Sequence, residues 1–381
     1  MKNILIVAMT NVSSDPRVLR QVSTLKELYR IDLVGFGDPI DGVENFHRIS
    51  RVTAPFRGIT RKFLKILLLF FRRFKSYYFI DLGIDASAQY AFQGYKYDLI
   101  LANDFESLPF IATFDRSKVP ILLDAHEYYF DEINARIRKR ALRPFRNWVS
   151  SSSIDRVVGM TTVCSGISEL YKRDFDFMEI PLVRNIPERT KVAFESHLSD
   201  RIELIHHGAA VQGRGLIELI ELTPLLEKRF TLNLMLVPTD IEFYKHLRRL
   251  AHEYNSRVKF LNPVPTREIV SAISSFDLGI HLIPPNSINN VYALPNKFFE
   301  FMHANLGVLV GPSPEMEKIV KDFSIGVVSK TFLLSDVAKE LNALDRETVE
   351  IFRKNSHQAS KEFDGESESK VLRATVAKSF G

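Results

Sequence analysis

The stretch from Asn289 to His303 joins a polar loop to an apolar helix and places charged residues at the start of that helix. Pro295 suits the first helical turn, because its missing N–H would have no helical partner there. Lys297 and Glu300 are three residues apart and share a helix face, with Asn296 beside them. A cation, a carboxylate and unpaired backbone N–H groups suit a phosphorylated, hydroxyl-rich ligand. The alternative is a solvated Lys–Glu pair on an ordinary amphipathic helix.

A glycine-rich turn after the apolar run at 202–206 is a second candidate phosphate site. Gly208 and Gly213 have the spacing of a P-loop, whose backbone N–H groups bind an anion. Arg214 and Gly215 replace the lysine and the Ser or Thr of a P-loop, so the pattern excludes a Walker NTPase. Arg214 could bind a diphosphate through two parallel hydrogen bonds, and a tight turn with a surface arginine is the alternative. We predict no metal site, because no His or acidic residues have ligand spacing.

Composition limits the class of protein. The chain has 381 residues and is 45% hydrophobic, which suits two domains with a core each. The single cysteine, Cys164, excludes an internal disulfide and fits a reducing compartment. The first residues lack the layout of a signal peptide, and no run of about 18 apolar residues is present. We therefore expect a cytoplasmic protein, soluble or peripheral to a membrane.

The net charge of +5 is unevenly distributed. The segment Phe56–Tyr78 mixes aromatic and aliphatic residues with Lys and Arg and contains no acid, and a second basic run, Arg136–Trp148, follows. Apolar bulk with unopposed positive charge favours a helix at an anionic membrane surface. A core helix with snorkelling basic residues is the main alternative. Nucleic acid also attracts such charge, but we predict no nucleic-acid partner.

The elements that must position these residues alternate between strand and helix. In the first half, the expected strands are 3–8, 31–35, 99–102, 121–124, 157–163 and 179–183, and the expected helices are 16–29, 56–78, 86–94 and 165–173. In the second half, strands are expected at 202–206 and 232–237 and helices at 216–226 and 241–254, and the segments 258–261, 266–274, 278–282, 295–304, 308–310 and 326–328 continue the series. A last helix is expected at 338–344, followed by a charged tail from Phe352. This alternation predicts right-handed βαβ units and parallel sheets. We place an N-terminal Rossmann-like domain at 1–186 and a second at 187–355. A tail or helix at 356–381 is expected to pack back on the first domain, and the ligand to bind in a cleft between the two domains, at the strands' carboxyl ends.

The order of the motifs along nearly the whole chain resembles family-4 glycosyltransferases of the bacterial surface-polysaccharide type. These are retaining enzymes of the GT-B fold, in which two Rossmann-like domains face each other across a cleft. The matching segments are 11–21, 97–104, 123–127, 163–167, 183–187, 208–215, 275–280, 294–300 and 311–315. The resemblance implies a sugar donor linked to UDP or GDP, a glycan or lipid-linked acceptor and no required metal or other cofactor.

The resemblance also implies roles for single residues. Glu300 corresponds to the family's second glutamate of Glu-x7-Glu, which binds the nucleotide ribose, and Arg214 to the cation that neutralises the diphosphate. Lys297 is expected to assist Arg214, and His126 resembles the histidine that approaches the donor sugar. The resemblance places the donor at Gly208, Gly213, Arg214, Asn296, Lys297 and Glu300, and the acceptor at Asp15, Arg17, Asp104 and Glu127.

Two positions depart from the family pattern. Tyr292 stands where the first glutamate of Glu-x7-Glu is expected, and Ala209 where an arginine is frequent. The expected activity is transfer of a sugar in cell-surface polysaccharide synthesis. The alternatives are an inactive nucleotide-sugar-binding partner of another transferase, which Tyr292 favours, and a sugar-nucleotide epimerase of the same fold.

Overall fold

The computed structural model describes residues 1–51, 59–84, 90–130, 136–190, 192–197, 199–254 and 257–380. Residues 56–58 of the expected helix at 56–78 and residues 86–89 of the one at 86–94 lie outside this part of the chain. The chain divides into two compact units. The first contains residues 1–184 and 368–381, and the second contains residues 185–367.

The first unit is built on a parallel six-stranded sheet. Its strands are β1 (Asn3–Asn11), β2 (Arg30–Phe36), β3 (Asn45–Arg48), β4 (Leu99–Asn103), β5 (Ile121–Asp124) and β6 (Val157–Thr161), in the order β3-β2-β1-β4-β5-β6. β1 lies in the middle because its apolar residues from Ile4 to Ala8 are buried on both faces. The expected strand at 179–183 is wrong, since Leu182 forms only a single bridge to Thr162.

Helices cover this sheet. They are α1 (Pro16–Leu25), α2 (Ile59–Phe70), α3 (Phe74–Leu82), α4 (Leu108–Phe114), α5 (Arg136–Ser151) and α6 (Ser165–Asp174). α1 begins after Asp15, whose carboxylate accepts hydrogen bonds from the backbone N–H groups of Arg17 and Val18. No helix in the described part of the chain is long and apolar enough to cross a membrane.

The second unit repeats the design. Its strands are β7 (Ile202–Ala209), β8 (Phe230–Val237), β9 (Val258–Leu261), β10 (Leu278–His281), β11 (Gly307–Val310) and β12 (Gly326–Val328), in the order β12-β11-β10-β7-β8-β9. Its helices are α7 (Leu216–Leu222), α8 (Ile241–Glu253), α9 (Ile269–Ile273), α10 (Ile288–Val291), α11 (Asn296–His303), α12 (Pro314–Phe323), α13 (Leu334–Asn342) and α14 (Arg346–Ala359). A last helix, α15 (Gly365–Lys378), follows.

The expected charged tail from Phe352 is wrong, because α14 and α15 bury apolar residues beneath their charges. Leu372 and Val376 of α15 lie in the core of the first unit, with residues of β1 and α1. The C-terminal helix therefore returns to the N-terminal unit, as expected.

In each sheet, successive strands are added first on one side and then on the other, so the strand order changes direction at one point. In the first unit this switch point lies between β1 and β4, and in the second between β7 and β10. Ligands of open α/β sheets bind outside the carboxyl ends of the strands at such points. The residues that follow β1, β4, β7 and β10 are therefore the candidates for a ligand-binding site.

Candidate functional site

The second unit's switch point carries the glycine-rich turn. Gly208, Gly213 and Gly215 all have positive φ, at 132°, 78° and 75°. A Cβ on Gly215 would lie 2.1 Å from the carbonyl oxygen of Leu282, just after β10, so only glycine allows this approach. A Cβ on Gly208 would lie 3.1 Å from the Nζ atom of Lys297. The glycines thus bring the turn against both β10 and α11.

Lys297 lies in the first turn of α11 and is half-buried. Its Nζ atom is 3.2 Å from Nε2 of His206, on β7. Burial, reinforced by the positive charge of Arg214, lowers the pKa of Lys297 to about 8, although the charge of Glu300 opposes this. An anion bound beside Lys297 would raise that pKa again, so the site favours a negatively charged ligand.

Glu300 is one turn further along α11 and is 5% exposed. Its Oε2 atom is 3.3 Å from Nε2 of His207. Burial, together with the charge of Lys297, lowers the pKa of His207 to about 3, so this imidazole is neutral. A neutral His207 forms no ion pair with Glu300. A carboxylate at this position can accept hydrogen bonds from hydroxyl groups.

Two further histidines lie beneath Lys297, and sequence analysis did not find them. His206 and His281 are both buried, and their rings stack with centroids 5.9 Å apart. Burial and the charge of Lys297 lower the pKa of each well below the usual value, so both are neutral. The sequence signal was weak, because a histidine near the end of a strand has no spacing that indicates a role.

The other residues expected at the donor site lie in the same turn and at the start of the same helix. Arg214 is exposed at the end of the turn, and its charge reaches both Lys297 and His281. Asn296 is the first residue of α11 and is half-buried. A Cβ on Gly213 would meet no atom within 4 Å, so this glycine is required by its φ rather than by space. The structure brings the expected donor residues to one end of the sheet.

The first unit's switch point holds Asp104 and His126, which follow β4 and β5. Asp104 has φ +58° and ψ 162°, a conformation that is costly for a residue with a Cβ. Its N–H donates to the carbonyl of Asp124 at 3.0 Å, and its Oδ2 atom is 2.9 Å from Nδ1 of His126. Burial alone would lower the pKa of His126, but the Asp104 carboxylate raises it to about 9. His126 is therefore a cation at neutral pH and donates hydrogen bonds.

Arg17 is placed differently from the expectation that it contacts acceptor or phosphate. It is 6% exposed and pairs with Asp124 through both Nε and Nη2, while Nη1 donates to the carbonyl of Val183 at 3.0 Å. Burial alone would raise the pKa of Asp124, but the Arg17 guanidinium holds it below its usual value. Gln21 and Thr161 donate to the same carboxylate at 2.6 Å each. This network joins α1 to the end of β5, where His126 begins the next loop.

The other two residues expected to bind the acceptor, Asp15 and Glu127, have simpler surroundings. Asp15 caps α1 and also accepts a hydrogen bond of 2.7 Å from the Thr10 hydroxyl. The side chain of Glu127 is exposed, and its carbonyl accepts a 2.5 Å hydrogen bond from Tyr171. Asp104 and His126 are thus in contact, whereas Glu127 only follows His126 in the chain and Asp15 lies at the start of α1.

One group of residues elsewhere in the second unit has metal-ligand types. His197, Asp277 and Glu350 offer ligand atoms within 4.8 Å of one another. Asp277 pairs with Arg346 at 2.7 Å, and Glu350 pairs with Arg353 at 2.8 Å. Two guanidinium groups already neutralise these carboxylates, so the group is better explained as a structural ion-pair network than as a cation site.

Comparison with known proteins identifies the fold. No protein-family model matches the sequence, and no curated protein sequence matches it. Sucrose-phosphate synthase from Thermosynechococcus elongatus is 14% identical with a TM-score of 0.71, over 100% of this chain and 99% of that one. HepE from Anabaena, in complex with UDP and glucose, is 14% identical with a TM-score of 0.70, over 99% and 100% of the two chains.

A third solved structure is also similar. The trehalose 6-phosphate synthase from Burkholderia multivorans is 13% identical with a TM-score of 0.60, over 100% of this chain and 98% of that one. At these identities the likeness concerns the fold. The chain has the GT-B fold, as expected from its motifs.

Proposed function

We propose that the protein is a glycosyltransferase that moves a sugar from a nucleotide-diphosphate donor to a glycan or lipid-linked acceptor. The observation that carries this proposal is the second unit's switch point, where the half-buried Lys297 lies beside the glycine-rich turn that contains the exposed Arg214. Glu300, a buried carboxylate one turn along α11, can accept hydrogen bonds from the hydroxyl groups of the ribose. The GT-B fold, shared with a structure that binds UDP and glucose, supports the same donor class.

The proposed chemistry depends on stabilising the leaving group. Breaking the bond between sugar and diphosphate places positive charge on the sugar and added negative charge on the phosphate oxygens. Lys297 and Arg214, with the backbone N–H groups of the turn, would stabilise that negative charge without a divalent metal. Loss of one such preorganised donor costs roughly 10²–10³-fold in rate. Retention of configuration, by attack on the same face of the sugar, is proposed from the resemblance to family 4.

The first unit would bind the acceptor. The protonated His126, held by Asp104, is a hydrogen-bond donor for a sugar hydroxyl or phosphate oxygen rather than a general base. A base is not required if an oxygen of the departing diphosphate accepts the proton of the acceptor hydroxyl. We propose a role in cell-surface polysaccharide synthesis, on the resemblance of the motifs.

We also propose that the protein lies on the inner face of the cell membrane through α2. The side chains of Phe63, Ile66, Leu67 and Phe70 are exposed and follow helical spacing, so they form one apolar face, which Phe71 extends. Exposed Lys and Arg residues at 62, 72, 73 and 75 flank this face. An exposed apolar face with a basic border suits anionic lipid.

The contribution expected of α3 and of Trp148 is smaller than that of α2. Tyr77 and Tyr78 of α3 are buried, and Phe145 and Trp148 of α5 stack within an aromatic cluster that includes Phe74. The side chains of residues 136–141 lie outside the described part of the chain. We therefore place the membrane contact on α2.

The membrane contact is tested by flotation with vesicles of phosphatidylglycerol and with neutral phosphatidylcholine vesicles. The variant Phe63→Ser with Phe70→Ser should lose binding to the anionic vesicles, and Arg72→Glu with Arg73→Glu should weaken it. Ile351→Ser, which removes an exposed apolar side chain from α14, is the matched control and should float as the unchanged protein does. The proposal is contradicted if the protein floats equally with anionic and neutral vesicles and if both double variants float as the unchanged protein does.

The donor is tested by calorimetry of UDP, GDP, ADP, CMP and dTDP in metal-free buffer, followed by release of nucleoside diphosphate from the matching sugar donor. We expect one nucleotide to bind, with the affinity lost in Glu300→Ala and kept in Glu242→Ala, an exposed glutamate of α8 in the same unit. Binding without turnover, with or without added acceptors, would favour the inactive partner. Turnover of the donor sugar without an acceptor would favour an epimerase. No binding of any nucleotide would refute the assignment of the donor site.

A further inference from the structure

The orientation of the His206 ring is fixed by its hydrogen bonds. Its Nδ1 atom is 2.8 Å from the carbonyl oxygen of Ile280 on the neighbouring strand β10. A carbonyl can only accept, so Nδ1 carries the hydrogen and donates it. Because the ring is neutral, Nε2 carries a lone pair instead, and the Lys297 ammonium donates to it at 3.2 Å. The carbonyl of Ile280 on β10 thus determines that His206 on β7 turns an accepting Nε2 atom toward Lys297.

We propose that His206 is a positioning residue, which holds the Lys297 ammonium against the glycine-rich turn so that it meets a bound diphosphate. This inference depends on the proposed donor site. Gly208 is two residues after His206, so both positions point to the same face of β7. A Cβ on Gly208 would lie 3.1 Å from Nζ and 3.7 Å from Cε of Lys297. The strand therefore supplies a support at position 206 and an open space for the ammonium at position 208.

A neutral acceptor suits this purpose better than a carboxylate. An aspartate or glutamate at position 206 would form an ion pair with Lys297, and a diphosphate would then have to compete with it. His206 orients the ammonium but leaves its positive charge available. His281 stacks on His206 and is also neutral, and neither of its ring nitrogens has a partner among the described residues. Arg214 adds a second positive charge near Lys297, which favours an anion, whereas the charge of Glu300 opposes it.

The proposal is tested by a double-mutant cycle on the full-length protein, with inorganic pyrophosphate as the probe. His206→Phe keeps the ring but removes the acceptor, and Lys297→Met removes the ammonium but keeps the chain length. His206→Phe should weaken pyrophosphate binding about 10-fold or more when Lys297 is present, because the ammonium loses its fixed position beside the turn and must be ordered on binding. In the Lys297→Met background, His206→Phe should change the affinity less than about 2-fold, because no ammonium is left to position. The difference between the two backgrounds measures the coupling of the two residues.

A conservative variant and a matched control sharpen the result. His206→Gln offers an amide oxygen as acceptor and should restore part of the affinity. His303→Phe removes another buried histidine, on the same helix as Lys297, whose Nε2 bonds the carbonyl of Phe363 at 2.6 Å. Its effect on pyrophosphate binding should be the same in both backgrounds. Equal losses for His206→Phe with and without Lys297 would overturn the proposal.

The thermal midpoint of the protein separates failure of this inference from failure of the proposed function. If the unchanged protein binds neither pyrophosphate nor any nucleoside diphosphate, the donor site is refuted. The contact is still tested, because a half-buried ammonium that loses its hydrogen-bond acceptor destabilises the fold. His206→Phe should then lower the midpoint by a few degrees more in the presence of Lys297 than in Lys297→Met. Equal changes in the two backgrounds would refute the positioning role itself.

Discussion

The lowered pKa of Lys297 predicts that binding at the proposed donor site depends on pH. With a pKa of about 8 in the free protein, the ammonium form outnumbers the amine roughly 10 to 1 at pH 7 and is outnumbered roughly 10 to 1 at pH 9. If only the ammonium form binds the diphosphate well, the affinity should fall about 10-fold between pH 7 and pH 9. The neighbouring His206, His207 and His281 have lowered pKa values, so they stay neutral throughout this range.

Calorimetry measures this effect in two ways. The affinity for the preferred nucleoside diphosphate is measured from pH 7 to pH 9, and proton uptake is obtained by repeating the titrations in buffers of different ionisation enthalpy. Because a bound diphosphate raises the pKa of Lys297, uptake should be greatest above pH 8. Lys297→Met should bind more weakly at pH 7 and lose most of the pH dependence and of the proton uptake. An affinity that is constant between pH 7 and pH 9, or an equal pH dependence in Lys297→Met, would refute this assignment.

Three further predictions concern other residues. Glu300→Gln should weaken binding of the nucleoside diphosphate by about 10-fold or more, since hydrogen bonds to a charged group contribute about 1.5–3 kcal/mol, and should lose the preference for ribose over 2′-deoxyribose; an unchanged preference by calorimetry would contradict the ribose contact. Asp104→Asn removes the carboxylate that raises the pKa of His126 to about 9, so NMR titration should show that pKa at or below 6.5, and an unshifted pKa would refute the pairing. Arg17→Met leaves the buried Asp124 carboxylate without its cation and should lower the free energy of unfolding by about 3–5 kcal/mol in a denaturant titration, whereas a change under 1 kcal/mol would contradict a structural role.

The elements with strong local patterns were predicted well. β1 and β5 are uninterrupted apolar runs, and α11 has its apolar residues at helical spacing, so each could be located within a few residues. β3 was missed because Asn45–Arg48 is a short, half-buried edge strand without an apolar run. The C-terminal helices were partly mistaken for a tail, because charged residues outnumber the few, such as Leu372 and Val376, that pack into the core.

The proposed donor residues could be selected from the sequence because their relations within each group are local. The glycines and Arg214 share one turn, and Lys297 and Glu300 share one helix, so spacing places the members of each group together. Contacts between residues far apart in the chain could not be predicted from spacing. His206 and Lys297 are 91 residues apart, and Arg17 and Asp124 are 107 apart.

The sequence by itself determined that the chain forms two parallel α/β units, with a glycine-rich turn and a charged helix start in the second. Only the tertiary structure decided that His206 supports Lys297, that Arg17 is committed to Asp124, and that Asp104 keeps His126 protonated. The physical reason is that periodicity records how a residue lies relative to its neighbours three or four positions away. Which strand lies beside which is set by the crossover connections of the sheet, and burial and charge at those contacts then determine protonation.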